Sequence, residues 1–387
     1  MSPDTAAALA AIAETAATPF ERARGLPPAC YTDPGLLDLE LRAAFGRGWV
    51  CLGLAAPLAE PGAYRTWRIA DQPIVVIRQK DGSLVAFANV CRHRMMRLLD
   101  GEGTCGKIVC PYHAWTYAID GRLIGAPFME GTEGFEKGDW PLAPIRCEAW
   151  QGWVFATLDP DAPALAPQLA PLAGVTARYG MERYVQVAAQ DHVWQTNWKL
   201  LTENFMESYH LPVAHRRTVG QWCPVERTRF REARCEAATW QFFEKRGDAD
   251  YGVAHPSNEA LEGDWRHTSV MPTIYPSHMY VLAPDHVWWL TLMPKGVGEV
   301  TVRFGAAIAP ERLEGLDDPD AFLATTVEFF DQVNDEDRMV TEGIFRGARA
   351  PLSEPGPYSW LERSLHDFAI WQAGLHGAGQ ARAEAAE

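Results

Sequence analysis

A chain of 387 residues, 47% hydrophobic and 22% charged, has room for two or three domains and a sizeable core. Its net charge of −15 argues against nucleic acid as a partner. Eight cysteines are too few at this length for a secreted disulfide scaffold.

Residues 1–45 read as a mostly helical segment broken by Pro27-Pro28 and Pro34. The alanine-rich start carries Asp4 and Glu14 and no basic run precedes it, so it fits neither a signal peptide nor a membrane span. A cytoplasmic chain with no membrane attachment is therefore expected. From 46 to 158 the period shortens to that of strands: Trp49–Gly53, Ala63–Ile69, Pro73–Arg78, a turn at Asp81-Gly82, Leu84–Ala88, and a closing strand over Trp150–Leu158. This is a small β domain. Pro160, Pro163, Pro167 and Pro171 predict a rigid connector.

Residues 159–387 mix helix and strand. Strands are expected at Tyr184–Ala189, Met279–Leu282, His286–Met293 and Glu299–Ile308, and a helix at Thr196–His210. A long helix spans Asp320–Arg346, with Phe322, Leu323, Val327, Phe330 and Val333 on its apolar face. The Gly/Ala-rich tail from Gly374 is expected to be mobile.

Cys91-Arg92-His93 is followed after sixteen residues by Cys110-Pro111-Tyr112-His113. Two thiolates and two imidazoles on two short loops suit a structural zinc ion. They equally suit a [2Fe–2S] cluster whose outer iron carries two histidines. The run that follows, Ala114-Trp115-Thr116-Tyr117 then Asp120-Gly121, reads as strand and turn, without a zinc-finger helix. The whole run, Asn89 to Arg94 and Val109 to Tyr117, resembles the Rieske domain of ring-hydroxylating oxygenases. Ala114 stands where glycine is usual there, and Met95-Met96 where the first loop is usually small. The other cysteines (Cys30, Cys51, Cys105, Cys147, Cys223, Cys235) show no second ligand spacing and read as buried or free thiols, with Cys105 near enough in sequence to pack behind the ligand loops.

His210 and His215 lie five apart, and Pro212 ends the helix between them. Two imidazoles and one carboxylate on one face of a metal make the non-haem Fe(II) facial triad. Asn197-Trp198-Lys199, Glu203-Asn204, Glu207, His210 and His215 resemble the mononuclear-iron motif of the same family. The resemblance implies a third ligand within Asn334-Asp335-Glu336-Asp337, with Asp337 in the ligand place and Asp335 and Asp331 as competitors. It implies a bridging role for Glu207 between the Rieske histidine of one chain and an iron histidine of the next, with Asn204 beside it. Such a bridge requires an oligomer, a homotrimer in the family.

The resemblance thus implies an α+β protein: an all-β Rieske [2Fe–2S] domain plus a helix-grip (START-like) catalytic domain with an antiparallel sheet. It implies a terminal oxygenase component using O2, the Rieske cluster and Fe(II). No flavin, nicotinamide or plant-type cluster motif occurs, so electrons from NAD(P)H must arrive through a separate reductase, with or without a ferredoxin. A small-molecule substrate is expected, and no nucleic acid.

The acidic charge, the Glu at 207, the Gly356–Phe368 region and the many aromatics (Trp194, Trp198, Trp222, Trp240, Tyr280, Trp288, Trp289, Phe345) lean toward an N-methyl or betaine-like quaternary ammonium compound. Hydroxylating an N-methyl group yields a carbinolamine that collapses to formaldehyde. Aromatic acid hydroxylation or O-demethylation is the alternative, and an electron carrier without oxygenase activity a further one.

Overall fold

The computed structural model describes residues 1–244, 251–314 and 316–384, with side chains to residue 377. It divides into two compact units, one of Phe45–Pro163 and one of Met1–Ala44 with Ala164–Glu387.

The first unit is a seven-stranded antiparallel sheet in the order Val50–Leu54, Trp153–Thr157, Pro144–Trp150, Leu84–Ala88, Gln72–Arg78, Ala63–Ile69, Glu102–Thr104. A three-stranded sheet (Lys107–Val109, Thr116–Ala118, Leu123–Gly125) adjoins it. The closing strand expected over Trp150–Leu158 is instead a hairpin, turning at Gln151 (φ 46°) and Gly152 (φ 83°). Both residues occupy the left-handed region that a two-residue hairpin turn demands. Val75, Ile77, Phe87, Ile108, Trp115, Tyr117 and Leu123 form one core with Cys91 and Cys110, and Cys105 packs at its edge. Gly121 (φ 85°) brings its backbone onto Phe87, where a Cβ would meet the ring at 2.5 Å.

The second unit is built on another seven-stranded antiparallel sheet, in the order Val185–Trp194, Glu299–Ile308, His286–Gly296, His278–Leu282, Thr268–Ile274, Ala238–Glu244, Arg229–Phe230. Thr268–Ile274 and Ala238–Glu244 were not foreseen. Both are buried on nearly every residue, so they lack the alternation that marks a half-exposed strand. Of the prolines expected to stiffen a connector, Pro167 lies inside the short helix Leu165–Gln168 and Pro171 in the first turn of Ala170–Thr176, where its missing N–H costs nothing.

A thirty-residue helix, Pro319–Ala348, is capped by Asp318, whose side chain accepts from Ala321 N–H. Its buried stripe is Phe330, Val333, Asn334, Asp337, Thr341 and Phe345. Phe322, Leu323 and Val327 are only half-buried, so the burying face begins later than the apolar pattern implied and continues through polar residues. This helix with the antiparallel sheet is the helix-grip arrangement. The helix Arg363–Glu384 continues past Gly374, the start of the tail expected to be mobile, whose residues 385–387 lie outside the described ones. It is held by the Arg231–Asp367 ion pair (2.7 Å) and by His366 Nε2, which bonds the carbonyls of Thr15 and Thr18. Among the described residues no helix is long and apolar enough to cross a membrane.

Asn197-Trp198-Lys199 turns out to be an anchor for the N-terminal segment. Asn197 Oδ1 caps the Trp198–Met206 helix through Lys199 N–H, while its Nδ2 donates to the carbonyls of Tyr31 and Val297. Trp198 Nε1 donates to Glu40 Oε2 (2.8 Å) and Lys199 Nζ to Glu40 Oε1 (2.5 Å), all three side chains being buried.

Candidate metal centres

Both ligand loops of the first unit share one hydrogen-bond pattern. Cys91 N–H donates to Met96 O (2.8 Å) and Met95 N–H to Cys91 O (3.0 Å). Cys110 N–H donates to Trp115 O (2.8 Å) and Ala114 N–H to Cys110 O (3.0 Å). The residue four past each cysteine must take positive φ: Met95 at 57° and Ala114 at 56°. A glycine would adopt that conformation without strain, whereas Met95 and Ala114 hold it at a conformational cost.

The four side chains divide by burial. Cys91 and Cys110 are 1% and 3% exposed, whereas His93 and His113 lie at the surface with ring centroids 4.8 Å apart. His93 stacks on Trp115 at 4.9 Å. Tyr117 Oη lies 3.4 Å from Cys91 Sγ and accepts from Arg92 N–H (3.0 Å). An inner iron held by thiolates and an outer one held by exposed imidazoles fits this division. A lone tetrahedral zinc has no need for it.

In the second unit His210, His215 and Asp337 bring one ligand atom each to within 4.8 Å of one another. The helix expected to reach His210 ends at Met206, and Glu207 is extended (φ −122°, ψ 163°). Helical phase therefore does not align Glu207 with His210. Its carboxylate folds back instead, accepting from the backbone N–H of Tyr209 and His210 and from His210 Nδ1. A short helix, Leu211–Ala214, with Pro212 in its first turn, then carries the chain to His215.

His215 Nε2 lies 3.0 Å and His210 Nε2 3.7 Å from Asp337 Oδ1, which also accepts from Asn204 Nδ2 at 2.7 Å. Asp335 is exposed and Asp331 half-buried, and neither joins the set. Sequence reasoning missed Glu336, whose Oε2 accepts from His215 Nδ1 (2.7 Å) and Thr218 Oγ1 (2.6 Å). Each imidazole thus has Nδ1 held by a glutamate and Nε2 left for a metal. Burial alone would lower the His215 pKa, but Asp337 and Glu336 lift it to about 9. Burial would raise that of Asp337, yet His215, His210 and Asn204 hold it below the usual carboxylate range. Two imidazoles and one carboxylate, oriented and almost dry, are the donor set of a non-haem Fe(II) site.

A cavity of about 690 Å³, open mouth included, adjoins the triad. Its walls include Phe205, Phe243, Tyr251, Trp288, Phe330 and Val333. Of the eight aromatics singled out from sequence, Trp288 alone lines it; Trp194, Trp198, Trp240, Tyr280 and Trp289 are core. The Gly356–Phe368 region contributes no lining residue, while Cys223, read as an ordinary thiol, does.

Residues 48–136 match the Rieske [2Fe-2S] domain family, and residues 181–375 the ring hydroxylating alpha subunit (catalytic domain) family. The chain is 32% identical over 381 residues to the glycine betaine monooxygenase oxygenase subunit of Chromohalobacter salexigens, covering 89% of this chain and 84% of that protein. It is 26% identical to the chloroplastic choline monooxygenase of Arabidopsis thaliana, covering 90% and 82%. A solved quaternary ammonium Rieske monooxygenase superposes with a TM-score of 0.79 at 25% identity, covering 92% of this chain and 96% of that one. Naphthalene 1,2-dioxygenase from Rhodococcus sp. (TM-score 0.80, 21% identity, coverage 97% and 98%) shares the fold. With two cysteine–histidine loops in a β unit and the His210, His215 and Asp337 cluster in a helix-grip unit, the chain belongs to the Rieske non-haem iron oxygenases, as their catalytic α subunit.

Proposed function

We propose that this oxygenase acts on a quaternary ammonium compound. The observation that carries this reading is the charge of the cavity. Glu207 and Asp337 line it, and no lysine or arginine does among the described residues. An aromatic carboxylate at the triad end of the cavity would lie beside two acids, with no lysine or arginine to offset them. A trimethylammonium group needs acid and aromatic faces, which Phe205, Trp288 and Phe330 supply. Relatives named for glycine betaine, choline and carnitine point the same way.

Cys91, His93, Cys110 and His113 would hold the [2Fe–2S] cluster, and His210, His215 and Asp337 the Fe(II). Once bound, the cluster supplies electrons one at a time and the Fe(II) supplies the place where O2 and substrate meet. Glu207 and Glu336 fix the two imidazoles, so that Nε2 of each faces the metal. Asn204 Nδ2 holds the Asp337 carboxylate in one rotamer. The apolar walls exclude bulk water, so that reducing equivalents are spent on substrate. For an N-methyl substrate, O2, two electrons and two protons give the N-hydroxymethyl product and water. That product releases formaldehyde and a proton and leaves the demethylated tertiary amine.

Glu207 is 8% exposed in the single chain. It holds His210 of its own chain, and we read its free edge as the half of the bridge that meets the Rieske histidine of a neighbouring copy. This makes a head-to-tail homotrimer the working assembly, supplied by a separate reductase drawing on NAD(P)H. With none of the eight cysteines in a disulfide, a reducing cytoplasm is the fitting compartment.

The test is a melting-temperature series on the anaerobic, iron-loaded protein with trimethylammonium compounds and with aromatic carboxylates. Stabilisation by the first set, with O2-dependent formaldehyde once a reductase is added, is the expected outcome. Stabilisation by the second set alone overturns the reading.

A further inference from the structure

The cavity has a polar end that the iron chemistry does not use. Across the sheet, Phe243 pairs with Ser269, and Ala283 N–H bonds His286 O, so Ser269 and His286 belong to one cross-strand row. The next row, Met271, Val281 and Trp288, lies on the same face, and Trp288 stacks on Phe205 (5.6 Å), next to Asn204. The row of Ser269 and His286 is thus one step farther from the Asn204 end of the cavity.

His286 is 3% exposed. Its Nδ1 donates to Asp285 Oδ1 (2.6 Å), and Asp285 Oδ2 accepts from Gly252 N–H (3.0 Å). A buried carboxylate is spent here on orienting one imidazole at a cavity wall. With Nδ1 engaged, the nitrogen left for a ligand is Nε2. Ser269 Oγ, in the same row, is buried with no hydrogen-bond partner among the described residues.

The long helix measures the distance to the iron. Asp337 lies seven residues, two turns, beyond Phe330, which is about 10 Å of helical rise. The Phe330 ring is 5.6 Å from the His286 ring. We propose that His286, oriented by Asp285 and assisted by Ser269, binds the oxygen-bearing end of the substrate while its ammonium end lies toward the triad. The inference rests on the quaternary ammonium reading and narrows it.

An extended chain gains about 3.5 Å for every three bonds. Six bonds from an N-methyl carbon to a carboxylate oxygen, as in a trimethylammonium butyrate, therefore span about 7 Å. A hydrogen bond to Nε2 covers the remainder. Glycine betaine, with four such bonds, is too short to touch both ends. With Nδ1 donating to Asp285, an imidazolium would also donate from Nε2, and that donor suits a carboxylate end more than a hydroxyl.

Dissociation constants of the anaerobic, iron-loaded wild type, His286→Gln and Asp285→Asn would be measured for γ-butyrobetaine, glycine betaine, choline and tetramethylammonium. The wild type is expected to bind γ-butyrobetaine most tightly. Both variants should lose about ten- to a hundredfold for γ-butyrobetaine, the range for a hydrogen bond to a charged group, and less than threefold for tetramethylammonium. Retained tetramethylammonium affinity and iron content exclude misfolding as the cause. Equal losses for all four ligands, or none, overturn the His286 anchor and leave the quaternary ammonium reading standing. A wild type that binds none of the four overturns that reading, and this inference with it.

Discussion

Glu207 holds His210 by folding back on its own chain. Its carboxylate accepts from the imidazole Nδ1 and from the backbone N–H groups of Tyr209 and His210. The helix has ended before it, so this carboxylate sets the direction of the ring. Glu207→Gln keeps the size and loses the charge. Oxygenation in steady state should fall by about ten- to a hundredfold, with both metal contents retained. An unchanged rate would remove Glu207 from the machinery.

Asp337 is the acid that converges on both imidazoles, whereas Asp335 faces solvent. Asp337→Ala should lose the mononuclear iron and keep the visible absorbance of the cluster. Asp335→Ala should lose neither. Iron analysis beside an absorption spectrum reads both outcomes, and iron loss in the Asp335 variant would reverse the assignment.

Tyr117 places a hydroxyl 3.4 Å from Cys91 Sγ. When Cys91 ligates iron as a thiolate, the hydroxyl is the donor. A hydrogen bond to a ligand sulfur stabilises the reduced cluster and raises its potential. Redox titration of Tyr117→Phe should therefore show a lower midpoint. A midpoint at or above the wild-type value contradicts this role.

Glu40 and Lys199 form an ion pair whose side chains are 2% and 1% exposed. Glu40→Ala strands a buried ammonium and should cost about 3–5 kcal/mol in denaturant unfolding. A loss under about 1 kcal/mol would mean that water reaches Lys199 and screens the charge.

Glu203, which accepts from Tyr31 Oη (2.8 Å), has its pKa pushed up by burial from 4.5 to about 7. The folded state binds this proton more tightly than the unfolded chain does. Its contribution is present in full below pH 4.5 and is lost as the pH rises to about 7. The loss is on the order of 3 kcal/mol. Glu203→Gln cannot ionise, so it should match the wild type near pH 4.5 and melt higher at pH 8. Parallel melting curves across that range would show that Glu203 has ordinary acidity.

The two candidate ligand sets were readable in large part from sequence because their loops are local. The Cys91 and Cys110 turns close through hydrogen bonds four and five residues long, so spacing and residue type determine them. The His210–His215 pair is similarly local, although the sequence overran the end of its helix. Glu203-Asn204 and Glu207 were readable as positions in a motif, but what each carboxylate touches was not.

Tertiary structure alone decided the rest. Asp337 and Glu336 reach His215 across more than a hundred residues, through the phase of a thirty-residue helix laid against the sheet. The strands Thr268–Ile274 and Ala238–Glu244 escaped notice because both their faces are buried, and with them went the rows that line the cavity. Residue types and local spacing determined that this chain binds a cluster and an iron. Which side chains surround a substrate depended on strand register and helix phase, which are set by long-range packing and leave no short-range pattern to read.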